Sequence, residues 1–477
     1  KMLIVNKLPI PENFQDTMIM SWLVDENMQH GLKPLSKLIL GKEPKKWEQL
    51  NREPDLFRNP ADVIRELAEY CCEDVSNTYQ LYFYFFPLLK KEDLLKDYNA
   101  VELKFIMVLV HMELRGIRVD VSWLRQKQSE ADKLLLEIDK KIKEKLKKFG
   151  YRAGVVNIRS PQQVEMILFE WLRYQPDKVT DKGKRSTDNE VLEGLVKKHD
   201  LKEDEVVPLL LKYRDLDKIN GTYFMALAEK AGLENVIHAN FLQHGTKTGR
   251  LSSNDPNLQN IPSRKDEWNV RQAFIPRDGY KFLIADYSQI ELRVLAHFSN
   301  DDHMVKTFME DGDIHATTMK LTGITDRRTA KGVNFGIVYG VGPQTLSHLL
   351  NIKQDSAKRY ISKFFEGYPK VRFFIERIQQ MTLRDGYVEM ITGRRRRFHE
   401  IKEQKWFGTI QRQSINTKIQ GSAADLIKIA MIRLDMELKK LGAYQLVQIH
   451  DELIVEAPVD RIEEVKTIAL DNVSFEI

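Results

Sequence analysis

The sequence predicts a mixed α/β protein built from more than one domain, and three observations carry that expectation. The chain has 477 residues, beyond the roughly 250–300 that one hydrophobic core usually reaches. Most of it shows helical periodicity. Two β elements stand out against that background: an apolar run from Lys281 to Ala285 that ends in Asp286, and a hairpin in which Leu446–Ile449 and Leu453–Val455 flank His450, Asp451 and Glu452.

Composition narrows the class. Apolar residues make up 42% and charged residues 30%, which suits a globular chain and excludes disorder. Lys and Arg exceed Asp and Glu by 74 to 69, too small an excess to point to nucleic acid by itself. Cys71 and Cys72 are adjacent, and no Cys/His spacing suits zinc. A reducing, intracellular setting, cytoplasm or nucleoid, is expected, from a bacterial, phage or organellar source. No apolar stretch approaches the ~20 residues of a membrane helix, and no signal-peptide pattern opens the chain. It begins at Lys1 rather than Met, so a start further upstream is expected.

No repeat or low-complexity tract is present. Residues 1–98 mix helical patterns with turn signals at Glu53-Pro54 and Asn59-Pro60. Residues 122–150 read as a Lys-rich amphipathic helix with Leu134, Leu135, Ile138, Ile142 and Leu146 on its apolar side and Gly150 as its stop. Turn-rich loops, a strand and a helix follow over 240–300, and the rest is helical apart from the hairpin. The strand at 281–285 reads as buried. The hairpin has no Asn-Gly or Asp-Gly, so its turn type stays open.

Asp286 and Asp451 are the chemical candidates. Carboxylates on rigid strand ends can hold two hard cations roughly 3.5–4 Å apart, an arrangement suited to phosphoryl transfer. Taken alone, Asp286 is more commonly a helix cap, and Ser288 to Glu291 matches a capping box. Asp451 alone is more commonly a turn residue. A second pattern changes the balance. Arg327, Lys331, Phe335 and Tyr339 recur every fourth residue, which on a helix makes a gently spiralling face roughly 18 Å long. Two cations followed by two rings suit a nucleoside triphosphate laid along that face. An aromatic core stripe with a basic end is the alternative. Gly332, Gly336 and Gly340 interrupt the helix at about 1 kcal/mol each, and close approach of a ligand or template is the expected reason.

Here the sequence resembles the family A DNA polymerases. Asp286-Tyr-Ser-Gln-Ile-Glu-Leu-Arg293 looks like their motif A, Arg327–Gly340 like motif B, and Gln448-Ile-His450-Asp451-Glu452 like motif C. Thr248-Gly-Arg250-Leu-Ser-Ser253, Pro256–Pro262 and Gln420-Gly-Ser-Ala-Ala-Asp425 resemble further family segments in the same order. The likeness covers nearly the whole chain. It implies a right-hand fold: a thumb over 122–240, a palm over 241–299 and 411–477, and fingers over 300–410 with the motif B helix at 327–340. Residues 99–121 would open that domain, preceded at 1–98 by part of a ribonuclease H-like 3′–5′ exonuclease domain.

The resemblance also implies roles. Asp286, Asp451 and the Tyr287 carbonyl would bind two Mg²⁺ ions, replaceable by Mn²⁺, with Glu452 acidic nearby. Arg327 and Lys331 would hold the triphosphate, and Lys331 could protonate the leaving pyrophosphate. Phe335 would stack on the base and sugar, Tyr339 would sit near the template base, and His315 near the β-phosphate. Gln289 and Glu291 also belong to the nucleotide site, Glu291 blocking a ribose 2′-hydroxyl. Phe335 in place of Tyr goes, in the family, with poor acceptance of dideoxynucleotides. Arg250, Arg412, Asn416, Gln420 and His450 match positions along the primer–template. Tyr70 and Asp74 match an exonuclease pair, Tyr70 orienting water and Asp74 binding metal; the other acidic motifs of that site should lie upstream. Arg394–Arg397 is read as a phosphate-contacting run, and the Lys-rich helix as partly DNA-directed. Between Gly323 and Arg327 the chain is shorter than the family pattern, and Ser474–Ile477 lacks the family's closing strand, as a gap or truncation would leave it. The expected activity is template-directed addition of deoxynucleotides to a primer by a monomer that does not engage membranes. A polymerase that also copies RNA and a non-catalytic DNA-binding subunit are the rivals.

Overall fold

A computed structural model describes residues 1–11, 13–45, 60–150, 156–176, 178–180, 183–262 and 267–473. The turn signals at Glu53-Pro54 and Asn59, and the closing Ser474–Ile477, lie outside these. The chain forms two compact units: Lys1–Arg115 with Asn240–Asn254 and Asp278–Ile477, and Gly116–Ala239 with Asp255–Arg277. The mixed α/β class is observed, with helices dominant among the described residues.

In the first unit, a three-stranded antiparallel sheet contains β1 (Tyr280–Asp286), β2 (Tyr444–Ile449) and β3 (Glu452–Pro458) in the order β1-β3-β2. Its register runs from Tyr280 opposite Pro458 to Asp286 opposite Glu452. The β2–β3 hairpin closes with Ile449 opposite Glu452, which leaves His450 and Asp451 as its two central residues. His450 has φ 56°, the positive φ that a type II′ turn needs at its first central position. β2 and β3 are buried through Leu446, Val447, Leu453, Val455 and Ala457. β1 is not the buried strand its apolar run predicts: Ile284 is 42% exposed. The reason is cover. β1 and β2 are both edges of this sheet, but the helices Leu103–Arg115 and Phe407–Lys440 pack on β2, whereas β1 packs mainly against the helix Ile462–Val473, and its alternate side chains face away from the core.

The helices that matter to the site are α1 (Thr17–Val24), α2 (Pro60–Lys91), α3 (Leu103–Arg115), α4 (Ile290–Ser299), α5 (Ile314–Thr322), α6 (Arg327–Val338), α7 (Pro343–Leu350) and α8 (Phe407–Lys440). α3 and α8 pack on β2. The middle of α8 is buried on all sides, from Ile415 through Ala423 to Leu434, as expected of a helix without a polar face. The short segment after Gly323 is a tight link. Gly323 ends α5 at φ 71°, Ile324 is buried, and Asp326 caps α6 by accepting the Thr329 N–H at 2.8 Å.

In the second unit the Lys-rich helix is Val121–Lys148, with Leu124, Ala131, Leu135, Ile138, Ile142 and Leu146 buried at helical spacing. Leu134 is half-buried. The helix ends before Gly150, whose φ of 86° suits the residue after a C-cap. This apolar face packs against the helix Val206–Ile219.

Within the first unit lies a cluster of buried charge: Asp97, Glu102, Arg394, Asp425 and Lys428. Arg394 donates to Asp425 Oδ1 from Nε at 3.0 Å and from Nη2 at 2.9 Å. Lys428 donates to Glu102 at 2.6 Å. The Trp22 ring of α1 lies 5.2 Å from the Arg394 guanidinium and 5.0 Å from the Lys428 ammonium. The expectation that Arg394–Arg397 contacts phosphates is therefore corrected. Arg394 is 1% exposed. Arg396 is spent on Thr417 at 2.6 Å and Gln413 at 2.8 Å. Arg397 bonds the Leu23 carbonyl at 3.1 Å and pairs with Glu92, and Arg395 bonds Glu389 at 3.1 Å. Carboxylates and carbonyls brought in by the fold outcompete solvent for these guanidinium groups.

Asp97 is the member whose burial outweighs what Arg394 and Thr392 offset. Burial, then the Glu102 and Asp425 charges, push its carboxyl up to about 8. An acid with a raised folded-state pKa stabilises the fold below its unfolded value, and that contribution is lost as pH climbs through the folded value. Asp97→Asn removes this titration. Its unfolding midpoint is expected to gain on the parent's as pH rises from about 4 to about 8, measured by thermal melts across that range. A pH-independent difference contradicts the assignment.

Candidate active site

The site begins where β1 ends. Asp286 lies opposite Glu452, and the next backbone N–H, of Tyr287, donates to the Asp451 carbonyl at 3.1 Å. The sheet register thus sets the backbone of Asp286 beside that of Asp451 and Glu452. Partial burial, then the Asp451 and Glu452 charges, raise the Asp286 pKa. A self-repelling carboxylate group of this kind is what a hard divalent cation relieves. Among the described residues no three or more His, Cys, Asp or Glu side chains gather as a metal site. The Asp286 and Asp451 carboxylates could offer oxygen donors, the kind that Mg²⁺ or Mn²⁺ takes with further oxygens from backbone, water or substrate.

Asp286 is not a helix cap. α4 starts at Ile290, and its N-cap is Gln289, with φ 58° and no side-chain cap bond. The Ser288–Glu291 capping box is not formed, because the left-handed Gln289 intervenes.

α6 supplies the second wall. Arg327 donates to Asp313 at 2.7 Å. The Lys331 ammonium lies 5.7 Å from the Phe335 ring, and the Phe335 and Tyr339 rings are 6.4 Å apart at 23°. The helix stops at Val338, two residues short of the span expected for it. Tyr339 is its C-cap, and Gly340 follows with φ 64°. The glycines also have a different reason from the one expected. A Cβ on Gly332 would collide with Leu350, and one on Gly336 would lie 2.9 Å from Val341 and 3.0 Å from Leu346. These glycines let α7 and its leading turn pack closely against α6, rather than admit a ligand.

His315 on α5 is 2% exposed, with Nδ1 2.8 Å from the Asn334 amide. Burial, aided by Arg327 and Lys331 and opposed by Asp313, lowers its pKa, so the imidazole is neutral beside the two cations. Glu291, 6% exposed, accepts a short hydrogen bond from Arg250. Burial raises its pKa, and Arg250 opposes the shift.

These groups face one cavity of about 500 Å³. Its lining includes Asp286, Tyr287, Gln289, Glu291, Arg250 and His315 from one part of the sequence. Arg327, Lys331, Phe335, Tyr339, His450 and Asp451 come from the other. Arg412 and Asn416 instead line a groove with Tyr339 and the start of α7. Gln420 is buried on α8. Tyr70 and Asp74 lie one turn apart on α2, away from this cavity, and share Lys33: its ammonium pairs with Asp74 and sits 4.2 Å from the Tyr70 ring. The sequence reading missed Phe105, Ile427, Lys428 and Met431, which also line the cavity. Only Lys428 had a signal, its place three residues after Asp425 on the same helix face.

A small sheet carrying paired carboxylates at a hairpin, walled by a helix of cations and aromatic rings, is the fold of a nucleic-acid polymerase domain. Residues 124–476 match DNA polymerase family A, and the chain belongs to that family. It is 37% identical over 476 residues to DNA polymerase I of Borreliella burgdorferi, covering 96% of this chain and 50% of that protein. It is 40% identical over 432 residues to the thermostable DNA polymerase I of Thermus filiformis, covering 86% of this chain and 50% of that protein. The chain thus spans about half the length of these curated relatives. Among solved structures, the POL domain of Pol1 from M. smegmatis, in complex with DNA primer-template and dNTP, superposes with a TM-score of 0.85 at 28% identity, covering 99% of this chain and 80% of that one. No helix among the described residues is long and apolar enough to cross a membrane.

The packing role of Gly336 is testable without substrate. Gly336→Ala is expected to lower stability by about 1–3 kcal/mol, read from the urea midpoint of the free protein. Unchanged stability with weakened nucleotide binding would return the glycine to a ligand role.

Proposed function

We propose that this chain is a DNA-directed DNA polymerase that joins deoxynucleotides to a primer 3′-hydroxyl with release of pyrophosphate. One observation carries the reading: the Asp286–Asp451 pair and the Arg327–Lys331–Phe335–Tyr339 face open onto the same cavity.

In this reading Arg327 exchanges its Asp313 partner for the triphosphate, and Lys331 binds the phosphates and gives a proton to the leaving pyrophosphate. Phe335 stacks on the incoming base and sugar, and Tyr339 lies at the template base. Neutral His315, whose Nδ1 faces the Asn334 amide, can donate from Nε2 to an oxygen of the β-phosphate without adding charge. The Gln289 turn carries Glu291 to the sugar, where its buried carboxylate crowds a 2′-hydroxyl. Two Mg²⁺ ions, or Mn²⁺ in their place, held by Asp286, Asp451 and the Tyr287 carbonyl, would supply activation of the primer hydroxyl and charge neutralisation at the pyrophosphate. Glu452 adds negative charge beside them. Arg250, Arg412, Asn416, Gln420 and His450 line the path of the primer–template. What remains of the barrier reduction is positioning and charge complementarity.

The domain roles follow the same reading. Residues 122–240 serve as thumb, 241–299 and 411–477 as palm, 300–410 as fingers, and 99–121 lead into them. Residues 1–98 are read as part of an exonuclease-like domain, although Lys33 already neutralises Asp74. The protein acts inside the cell as a monomer.

Primer extension on a primed DNA template with Mg²⁺, using deoxy- or ribonucleotides, tests this. The parent is expected to extend with deoxynucleotides only. Asp286→Ala should lose about 10²–10³-fold or more in rate, and Glu291→Ala should give up about 10²-fold of the preference against ribonucleotides. A folded, DNA-binding parent that cannot extend would overturn the catalytic reading.

A further inference from the structure

The buried ion pair between Arg394 and Asp425 lies directly under the turn that carries Arg250. Thr246 Oγ1 donates to the Arg250 carbonyl at 2.8 Å, closing the turn. Arg394 Nη2 donates to the Thr248 carbonyl at 2.7 Å and to the Gly421 carbonyl at 3.4 Å. The fit against Gly249 is tight: φ there is +86°, and a Cβ would lie 2.7 Å from Arg394 Nη1. Just before the turn, Gln243 donates to the Glu102 carbonyl at 2.9 Å. The turn is thus fixed from below by groups with almost no solvent exposure. Above it, Arg250 reaches the Glu291 carboxylate.

We infer that Arg394 is a positioning residue for sugar selection: held by Asp425, it sets the Thr246–Arg250 turn so that Arg250 pins Glu291 in the sugar-facing position. This inference rests on the proposed polymerase reading, and it adds a residue that never meets substrate. A guanidinium is needed because one planar fork must serve the Asp425 carboxylate and the Thr248 carbonyl together. A lysine keeps the charge and the approximate reach but cannot hold both in fixed directions. With the turn loosened, Arg250 no longer restrains Glu291, and a half-freed carboxylate yields to a 2′-hydroxyl. Asp425 was visible in the sequence as the end of the Gln420–Asp425 segment, but nothing local shows that its partner lies in a basic run.

The experiment compares kcat/KM for deoxy- and ribonucleotides in the parent, Glu291→Ala, Arg394→Lys and Thr392→Val. Thr392 Oγ1 donates to Asp425 Oδ2 at 2.8 Å, so its loss loosens the pair without removing either charge. Primer–template affinity is measured against salt in each. The inference expects discrimination to fall by about tenfold in Arg394→Lys, in the same direction but less in Thr392→Val, with the salt slope of DNA binding unchanged. A ratio equal to the parent's in Arg394→Lys overturns it. Should that variant fail to fold, a parent-like ratio in Thr392→Val overturns it equally. A reduced salt slope with an intact ratio makes Arg394 a phosphate contact and also overturns it. If the parent itself does not discriminate, or Glu291→Ala leaves the ratio intact, the gate reading falls and takes this inference with it; a normal parent and a relaxed Glu291→Ala confine any failure to Arg394.

Discussion

The antiparallel register between β1 and β3 decides where the carboxylates of the site end up. Leu283 pairs with Val455, Ile284 with Ile454 and Ala285 with Leu453, and the same count places Asp286 against Glu452. Side chains alternate across a strand, so a slip of one residue would turn Asp286 to the opposite face and separate it from Asp451. The two-residue turn at His450 and Asp451 fixes the other carboxylate with no slack. Burial and, after it, the repulsion this creates raise the Asp286 pKa, a cost imposed by the fold and offset by its apolar pairs. That repulsion also makes the site receptive to cations.

A second constraint is the buried charge around α8. Taking two ion pairs out of water costs several kcal/mol per ion before their attraction is counted, so an apolar core of equal volume would be the simpler way to hold α8 in place. What the pairs do that an apolar core could not is make hydrogen bonds in fixed directions. Arg394 donates to the Thr248 and Gly421 carbonyls, and the Glu102 carboxylate accepts from the Lys428 and Gln243 side chains. Both cations also lie against Trp22, which couples α1 to the floor of the site.

What was legible in the sequence was local. The motif around Asp286, the hairpin at Asp451 and the four-residue recurrence from Arg327 to Tyr339 are short-range patterns, and the chain's own geometry turns them into a strand end, a turn and a helix face. What failed was tertiary. A run of four arginines looks the same whether it faces solvent or Asp425, Glu92 and Gln413. Gly332 and Gly336 mark a close approach, but the sequence does not say that α7 makes it. The apolar run at 281–285 indicates a strand, whereas its exposure depends on which helices cover it, and α3 and α8 cover β2 instead. The end of α6 at Val338 depends on the left-handed Gly340, a residue readable as a stop but outweighed by the aromatic pattern running through it.

The claim on which the rest depends is that Asp286 and Asp451 act as one unit because the sheet holds them together. A double-mutant cycle of Asp286→Asn and Asp451→Asn on single-nucleotide incorporation tests it most directly. Groups that share one task are strongly non-additive, so the account predicts a double variant no slower than the worse single variant. Independent losses that multiply would show that the two carboxylates serve separate roles, and would contradict the account.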